Sequence, residues 1–369
     1  MKKNIVFLDS STFPDHLKFN KIKFPHTWKN YKTTSPSEVI NRIKKAHIIV
    51  NNKVDLGPEE LIYAKKLELI ALTATGTNII DLEYCHKNNI KVCNLRNYAS
   101  TTVAEHTFAL LLIILRQIKG LEEDIASGLW QKQKIFTMVN RRVFNLHGKK
   151  IGIIGKGSIG KQVAKLARAF NMKVEFISAQ NLKKTQLHKF LKRQDIISLH
   201  CPLNKNTKDL IAAKELDIMK TSSVIINTAR GGIINEIDLV TALKKKIIAG
   251  AGIDVTTAEP PKKSHPYYQI INYSNFVWTP HTAWASEEAH NNKSISRTVK
   301  TTINFKNLNK HEIDWYLESE EWINVAGAYK IQGKAAGFIK SINGSYSNVV
   351  GLPLYEVKNM LFSVGYLFK

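Results

Sequence analysis

Cysteine is scarce in this chain. Cys85, Cys93 and Cys201 show neither C-x-x-C spacing nor the density that staples a small fold, which excludes a disulfide scaffold and makes a reducing cytosol the expected compartment. Long apolar runs are missing as well. Residues 108–115 form an apolar run too short to cross a bilayer, and Met1-Lys2-Lys3 leads only into a short apolar stretch broken by Asp9, so neither a membrane span nor a signal peptide is read. Acidic side chains are few, 30 against 54 Lys and Arg, for a net charge of +24. The bases are scattered, with Lys244-Lys245-Lys246 the longest run, and no helix-turn-helix or finger spacing accompanies them. The charge therefore reads as a solvated basic surface that favours anionic substrates and cofactors, without a specific nucleic-acid site.

What is present begins at Lys150-Ile151-Gly152-Ile153-Ile154-Gly155-Lys156-Gly157-Ser158-Ile159-Gly160. A short apolar strand pattern meets a helical pattern across a G-x-G-x-x-G turn, the context in which that spacing has a physical meaning. Gly155 permits the tight turn, Gly157 lets a pyrophosphate approach the backbone, and Gly160 lets helix and strand pack closely, with free N–H groups at the helix start facing the phosphates. Five further strand patterns follow, at 173–177, 195–199, 222–227, 249–255 and 276–279, mostly separated by segments long enough for crossover helices. Alternation of that kind implies a doubly wound parallel α/β sheet, whose ligands bind outside the carboxyl ends of the strands. Ser178, Cys201, Thr228, Arg230, Asp254 and His281 all stand at such ends.

Residues 1 to about 100 read as a smaller α/β unit, with strands at 5–8, 47–50 and 68–72 and helices around 36–45 and 58–66. The loop Thr73-Ala74-Thr75-Gly76-Thr77 between a strand and a helix at 81–87 can offer backbone N–H groups to a carboxylate. Thr102 and Glu105 have capping-box spacing, and the helix they would open is expected to run to about Lys119 as a spine between two domains.

Arg96-Asn97-Tyr98-Ala99-Ser100-Thr101-Thr102-Val103-Ala104-Glu105-His106-Thr107, the glycine turn, Leu199-His200-Cys201-Pro202-Leu203, Asn227-Thr228-Ala229-Arg230-Gly231-Gly232, Gly252-Ile253-Asp254-Val255 with Glu259-Pro260, and Thr279-Pro280-His281-Thr282-Ala283-Trp284 together resemble the D-isomer-specific 2-hydroxyacid dehydrogenases, and within them the glycerate dehydrogenase (hydroxypyruvate reductase) branch. The resemblance spans residues 1 to about 289. It implies a substrate-binding domain over 1–100, a dinucleotide-binding domain with its linker helix over 101–289, and a homodimer.

Reduction of a 2-keto acid needs a cation for the carboxylate, an acid for the carbonyl oxygen, and a group that keeps that acid charged. Arg230 suits the first role because guanidinium pairs bidentately with carboxylate, His281 the second, and Glu259 the third. The resemblance assigns these catalytic positions the same roles. It also implies cofactor contacts at Gly155, Gly157, Ser158, Ile159, Gly160, Ser178, Cys201, Thr228, Ala229 and Asp254, the last towards the nicotinamide carboxamide or ribose, and a substrate cradle at Thr75 and Gly76 beside Arg230. His106 and His200 are left as structural, and no metal is expected. The cofactor implied is NAD, with one departure. The end of the second strand carries Ser178 where NAD enzymes usually place an acid, and Lys183-Lys184 follow, so NADP competes.

After Ala289 the pattern changes. Ile295, Arg297, Val299, Thr301, Ile303 and Phe305 share one parity and read as a strand, as do residues 338–346 up to a turn, and Pro353 precedes a short amphipathic helix. Phe305-Lys306, Glu312-Ile313-Asp314-Trp315-Tyr316-Leu317, Ala326-Gly327-Ala328-Tyr329 and Gly344-Ser345-Tyr346-Ser347-Asn348-Val349-Val350-Gly351-Leu352-Pro353-Leu354 resemble the C-terminal part of the Maf-type nucleoside triphosphate pyrophosphatases, over about 291–369. The phosphate-binding half of that family has no counterpart here, and Val325 stands where a lysine is usual, so no pyrophosphatase activity is expected from this incomplete α/β fragment. A fusion of two truncated neighbouring genes accounts for the order. Three readings follow: a dehydrogenase of small 2-keto or 2-hydroxy acids such as hydroxypyruvate or glyoxylate, a catalytically impaired fusion product, and a nucleotide pyrophosphatase, which the missing half disfavours.

Overall fold

A computed structural model describes residues 2–17, 22–95, 98–291, 300–323 and 325–363. The chain divides into two compact units, Met1–Asn292 and Lys293–Lys369.

The first unit contains two parallel sheets. One is built from β1 (Lys3–Phe7), β2 (His26–Asn30), β3 (Ile48–Asn51), β4 (Leu69–Leu72) and β5 (Lys91–Asn94) in the order β2-β1-β3-β4-β5. Helices α1 (Pro36–Ile43), α2 (Pro58–Leu61) and α3 (Leu82–Lys87) supply Val39, Ile43, Leu61 and Cys85 to a core shared with Val6, Ile49 and Ile70 of the strands. Ser35 and Glu38 close a capping box around Pro36 that sets the start of α1. The central strands agree with the apolar runs read from the sequence. The two that periodicity misses, β2 and β5, are the edge strands: each pairs on one side only and carries partly exposed polar residues.

From the first sheet the chain passes through α4 (Ser100–Leu115) and α5 (Ile118–Ala126). The expected single spine to Lys119 is instead broken, because Gln117 takes a left-handed φ of 55° and the two helices bend by 52°. The expected capping box also gives way. Ala99 occupies the N-cap without a side-chain bond, while the Thr102 hydroxyl meets that of Ser286 at 3.0 Å, so a tertiary partner claims the side chain that the spacing assigned to the backbone. No single described helix is long and apolar enough to cross a membrane.

The second sheet comprises β6 (Lys150–Ile154), β7 (Lys173–Ile177), β8 (Ile196–Leu199), β9 (Val224–Asn227), β10 (Gly250–Ile253) and β11 (Phe276–Trp278), all parallel, in the order β11-β10-β9-β8-β6-β7. β8, β9 and β10 are buried along their whole length because helices cover both faces. On one face α4 and α6 (Ser158–Ala169) bring Leu110, Leu111, Ile114, Val163 and Ala167 onto Ile151, Ile153 and Ile226. On the other, α7 (Lys184–Arg193), α8 (Ala213–Ile218) and α9 (Glu236–Lys244) bring Leu187, Phe190, Leu216, Leu239 and Leu243 onto Ile154, Ile197, Ile225 and Ile253. The strand order reverses between β6 and β8, which opens a crevice at their carboxyl ends. A short α10 (Glu287–Asn291) closes the unit.

The second unit pairs β12 (Thr302–Phe305) with β13 (Ile339–Asn343) in antiparallel fashion, with α11 (Lys310–Glu318), α12 (Tyr346–Val350) and α13 (Leu354–Ser363) around them. The strand read at 295–305 is present from Thr302; residues 292–299 lie outside the described ones. Its core is small: Tyr316, Ala335 and Phe338 are buried, while Trp315, Leu317, Trp322 and Leu354 are exposed.

Candidate active site

The glycine turn behaves as its spacing requires. Gly155 has φ 111°, and a Cβ there would overlap the His200 carbonyl; a Cβ on Gly160 would overlap the Gly155 carbonyl oxygen and press on Ile153. Gly157, the N-cap of α6, has open space where its side chain would be. The turn thus has two glycines forced by packing and one that leaves room in front of the helix N-terminus, the cradle that a pyrophosphate needs. Ser158 and Ile159 form the first turn of α6, and Ile159 packs on a cluster of Val103, Ala283 and Trp284 that ties the turn to the His281 loop.

Three neighbouring strands deliver the three catalytic candidates. Arg230 follows β9, Glu259 follows β10 and His281 follows β11, so sheet order places them side by side. The loops interlock, because Gly231 lies so close to the Thr256 backbone that no Cβ would fit. Arg230 donates through Nη1 to the Ala229 carbonyl at 2.7 Å, and its Nη2 lies 2.7 Å from where a Cβ on Gly76 would stand. The guanidinium therefore reaches from the second sheet to the loop after β4, where the Asn94 amide donates to the Thr75 carbonyl at 2.7 Å. Gly76 and Arg230 come together, and Thr75 precedes Gly76 in the same loop.

His281 stands at φ 54° and pairs through Nδ1 with Glu259 Oε2 at 2.5 Å. Glu259 is held from behind by the Thr256 N–H, which donates to Oε1 at 2.9 Å. Partial burial opposes ionisation of Glu259, but the hydrogen bond and charge of His281, the Thr256 N–H and the charge of Lys53 outweigh it and keep the carboxyl below its ordinary range. With Nδ1 occupied, Nε2 is the nitrogen left for a substrate. A cavity of about 460 Å³ flanks the pair, walled by Pro260, Tyr268, Ile271 and Trp278. Arg230 and Gly76 do not line it, so it borders the imidazole rather than the carboxylate clamp.

Asp254 is buried at 1 % exposure. Its carboxylate accepts from Thr279 Oγ1 at 2.6 Å, from Thr282 N at 2.9 Å and from Ala283 N at 3.0 Å, and its carbonyl accepts the His281 N–H at 2.8 Å. It acts on the site by fixing the turn that carries His281, and His106 supports that turn through Thr279 Oγ1 at 3.0 Å. Cys201 is a core residue whose thiol is pushed up to about 11 by burial. The Thr228 hydroxyl is turned inward to that of Thr107 at 3.0 Å, leaving Ala229 and the strand end itself at the rim. His200 is structural as expected: burial pushes its imidazole down to about 3, and Nε2 meets Ser198 Oγ at 2.7 Å.

At the end of β7, Ser178 is exposed and its hydroxyl accepts the Gln180 N–H at 3.2 Å. Glu175 is spent elsewhere, on Arg193 and Gln194. No carboxylate among the described residues of this strand end faces a ribose. Two residues near Arg230 were not found from the sequence. Lys53, after β3, and Tyr98, before α4, both lie close enough to Arg230 to feel its charge. Their signal is tertiary, since nothing local marks either one.

Comparison with known proteins agrees with this geometry. The family model described as "D-isomer specific 2-hydroxyacid dehydrogenase, NAD binding domain" matches residues 108–283, and "Maf-like protein" matches 212–364. The overlap at 212–283 falls on strands and helices of the nucleotide sheet, so the Maf-like likeness that stands apart is that of the second unit. The glycerate dehydrogenase of Methylorubrum extorquens is 39% identical over 78% of this chain and 92% of its own. D-Lactate dehydrogenase from Aquifex aeolicus, solved with NAD and lactic acid, superposes with a TM-score of 0.64 at 28% identity, over 78% of this chain and 90% of that one. An acyclic imino acid reductase solved with NADPH and D-Arg superposes with a TM-score of 0.67 at 31% identity, over 78% and 92%. By motif order, sheet topology and relatedness, the chain belongs to the D-isomer-specific 2-hydroxyacid dehydrogenases.

Proposed function

We propose that this chain reduces a small 2-keto acid, hydroxypyruvate or glyoxylate, to the 2-hydroxy acid, and runs the reverse oxidation. The observation that carries this reading is the Glu259–His281 pair, one strand away from the Arg230–Gly76 clamp and on the same rim as the glycine turn. A bound dihydronicotinamide supplies the hydride. Arg230 and the 75–76 backbone hold the substrate carboxylate, so the carbonyl carbon is fixed before reaction. His281 Nε2 points its proton at the carbonyl oxygen, and the ionised Glu259 favours the imidazolium that must be present first. In the oxidative direction neutral His281 accepts the hydroxyl proton. The named groups all precede Lys293. A spectrophotometric assay with hydroxypyruvate and glyoxylate, using NADH and NADPH in turn, tests the reading; absence of turnover with every pair refutes it.

The strand end at Ser178 admits a 2′-phosphate because no carboxylate repels it, and Lys183 and Lys184 open the helix that follows. NADPH is expected to bind alongside NADH. Placing a charge there, Ser178→Asp, should weaken NADPH about tenfold or more relative to NADH in a fluorescence titration. An unchanged ratio would place the adenosine ribose elsewhere.

A homodimer is also part of the proposal. Asp124 of α5 clamps the segment that follows the helix, accepting from Arg141 at 2.6 and 2.7 Å and from Asn140 at 2.8 Å, and these bonds hold its carboxyl down to about 2. The clamped segment presents Ile135, Phe136 and Val139 to solvent, at 58%, 90% and 82% exposure. Apolar side chains held out in this way fit a surface that a second copy covers. The double variant Phe136→Asp, Val139→Asp is expected to turn the dimer into a monomer in light scattering; an unaltered mass would remove this segment from the interface. The reducing cytosol remains the compartment that the cysteine usage favours.

A further inference from the structure

A second histidine–glutamate pair lies behind the catalytic one. His265 meets Glu236 Oε2 through Nε2 at 2.9 Å, and the two side chains are only 8% and 13% exposed. Glu236 opens α9, the helix that the Arg230 loop leads into, and its other oxygen accepts the Thr257 N–H at 2.7 Å. The His265 ring is engaged at both nitrogens. Its Nδ1 accepts the Tyr267 N–H at 3.3 Å, so the ring proton sits on Nε2 and is donated to Glu236. In His281 only Nδ1 is bonded, and Nε2 is left for a substrate. Neither Glu236 nor His265 lines the cavity beside His281. With no nitrogen to offer a reacting group, this pair acts through position.

What it holds is the Thr256–Thr257 peptide, the joint between the loops of the catalytic rim. The Thr256 N–H donates to Glu259 Oε1 at 2.9 Å, and the next amide, that of Thr257, donates to Glu236. Two consecutive N–H groups are thus shared between the carboxylate of the catalytic pair and that of the buried one. Gly231, next to Arg230, packs on the same peptide, where a Cβ would overlap the Thr256 carbonyl and crowd the Thr257 nitrogen. His265 adds a third link. Its ring stacks on Trp278, with centroids 5.5 Å apart and planes at 27°, and Trp278 ends the strand that delivers His281. Arg230 has its own support, because the Asn227 side chain donates to the Arg230 carbonyl at 2.9 Å and accepts the Ala229 N–H at 3.0 Å. Loosening the joint therefore reaches Glu259 before it reaches the clamp.

We propose that Glu236 and His265 are positioning residues for the reduction, fixing the Thr256–Thr257 peptide so that Glu259 is aimed at His281 Nδ1. This rests on the dehydrogenase reading above and adds to it two residues that stand outside both the cavity and the clamp. A carboxylate is needed at 236 because two N–H donors converge on it, one on each oxygen. A glutamine offers them a single oxygen, so one donor would face an amide NH2 and be left unpaired. The displacement that follows is passed to Glu259 through one peptide, and a shift of about 1 Å in a positioned group can cost roughly 100-fold in rate.

The test measures kcat and KM for reduction of hydroxypyruvate and glyoxylate in the full chain and in His265→Phe, His265→Gln, Glu236→Gln, Glu259→Gln and the double variant of the two glutamates. Turnover is taken per NADH-binding site, counted by fluorescence titration, so that a fraction that fails to fold drops out. His265→Phe keeps a ring against Trp278 and removes the bond to Glu236; kcat should fall about 10- to 100-fold while KM moves less than about threefold. His265→Gln gives up the ring and keeps an N–H donor for Glu236, so it should recover most of that loss. A histidine that merely packs would give the opposite order. Glu236→Gln should match His265→Phe, yet lower kcat by less than about threefold in the Glu259→Gln chain, since effects passed through one group do not add. Wild-type kcat in His265→Phe, no recovery in His265→Gln, or a fully additive loss in the double variant each overturns the positioning role alone. A wild-type chain that reduces neither acid overturns the dehydrogenase reading and this one with it.

Discussion

His281→Gln should lower kcat for hydroxypyruvate reduction about 10²- to 10⁴-fold while dinucleotide affinity stays near the wild-type value. Glutamine fills the volume and can still bond Glu259, but it has no proton to give at the carbonyl oxygen. The loss therefore isolates proton transfer from shape. Arg230→Lys is the companion experiment. It keeps the charge and removes the two-point clamp, so KM should rise while the charge still attracts the acid, and Arg230→Ala should lose both. Glu259→Gln should reduce turnover most at the alkaline end of the range, because nothing then favours the imidazolium. Unaltered turnover in either the His281 or the Arg230 variant would falsify the catalytic assignment, since both side chains stand on loops held by their own backbone contacts and neither is needed to build the sheet.

The second large effect separates folding from binding within one turn. Gly155→Ala and Gly160→Ala should each cost about 2–4 kcal/mol of stability, the range expected for strain that no side-chain movement relieves. The atoms they would meet are backbone: the His200 carbonyl for Gly155 and the Gly155 carbonyl for Gly160. Gly157→Val should behave otherwise. Its Cβ meets nothing, so the melting temperature of the free protein should hardly move, yet NADH affinity should fall by about 100-fold or more because the new side chain occupies the phosphate approach. Thermal denaturation with and without NADH, alongside a fluorescence titration, reads both effects. Normal binding by Gly157→Val would mean that the pyrophosphate does not lie on this turn.

The chain itself determined a large part of this protein. Apolar strands alternating with helical patterns required a parallel sheet, because a strand buried on both faces cannot alternate its polarity. The glycine turn was legible because its spacing stands between a strand pattern and a helix pattern, and Arg230, Glu259 and His281 because their chemistry coincided with strand ends. What sequence periodicity could not supply is whatever depends on a neighbour distant along the chain. The edge strands His26–Asn30 and Lys91–Asn94 gain strand character from a partner on one side, which leaves no apolar signature. The break at Gln117 and the pairing of Thr102 with Ser286 override helix signals through tertiary contact. Asp254 reads as one more polar strand end, and only the folded turn shows its carboxylate anchoring the residues around His281. Lys53 is the clearest case. It is one of many scattered lysines until the pairing of β3 with β4 sets its loop beside the one that carries Gly76 to Arg230, an adjacency that leaves no mark on the order of residues.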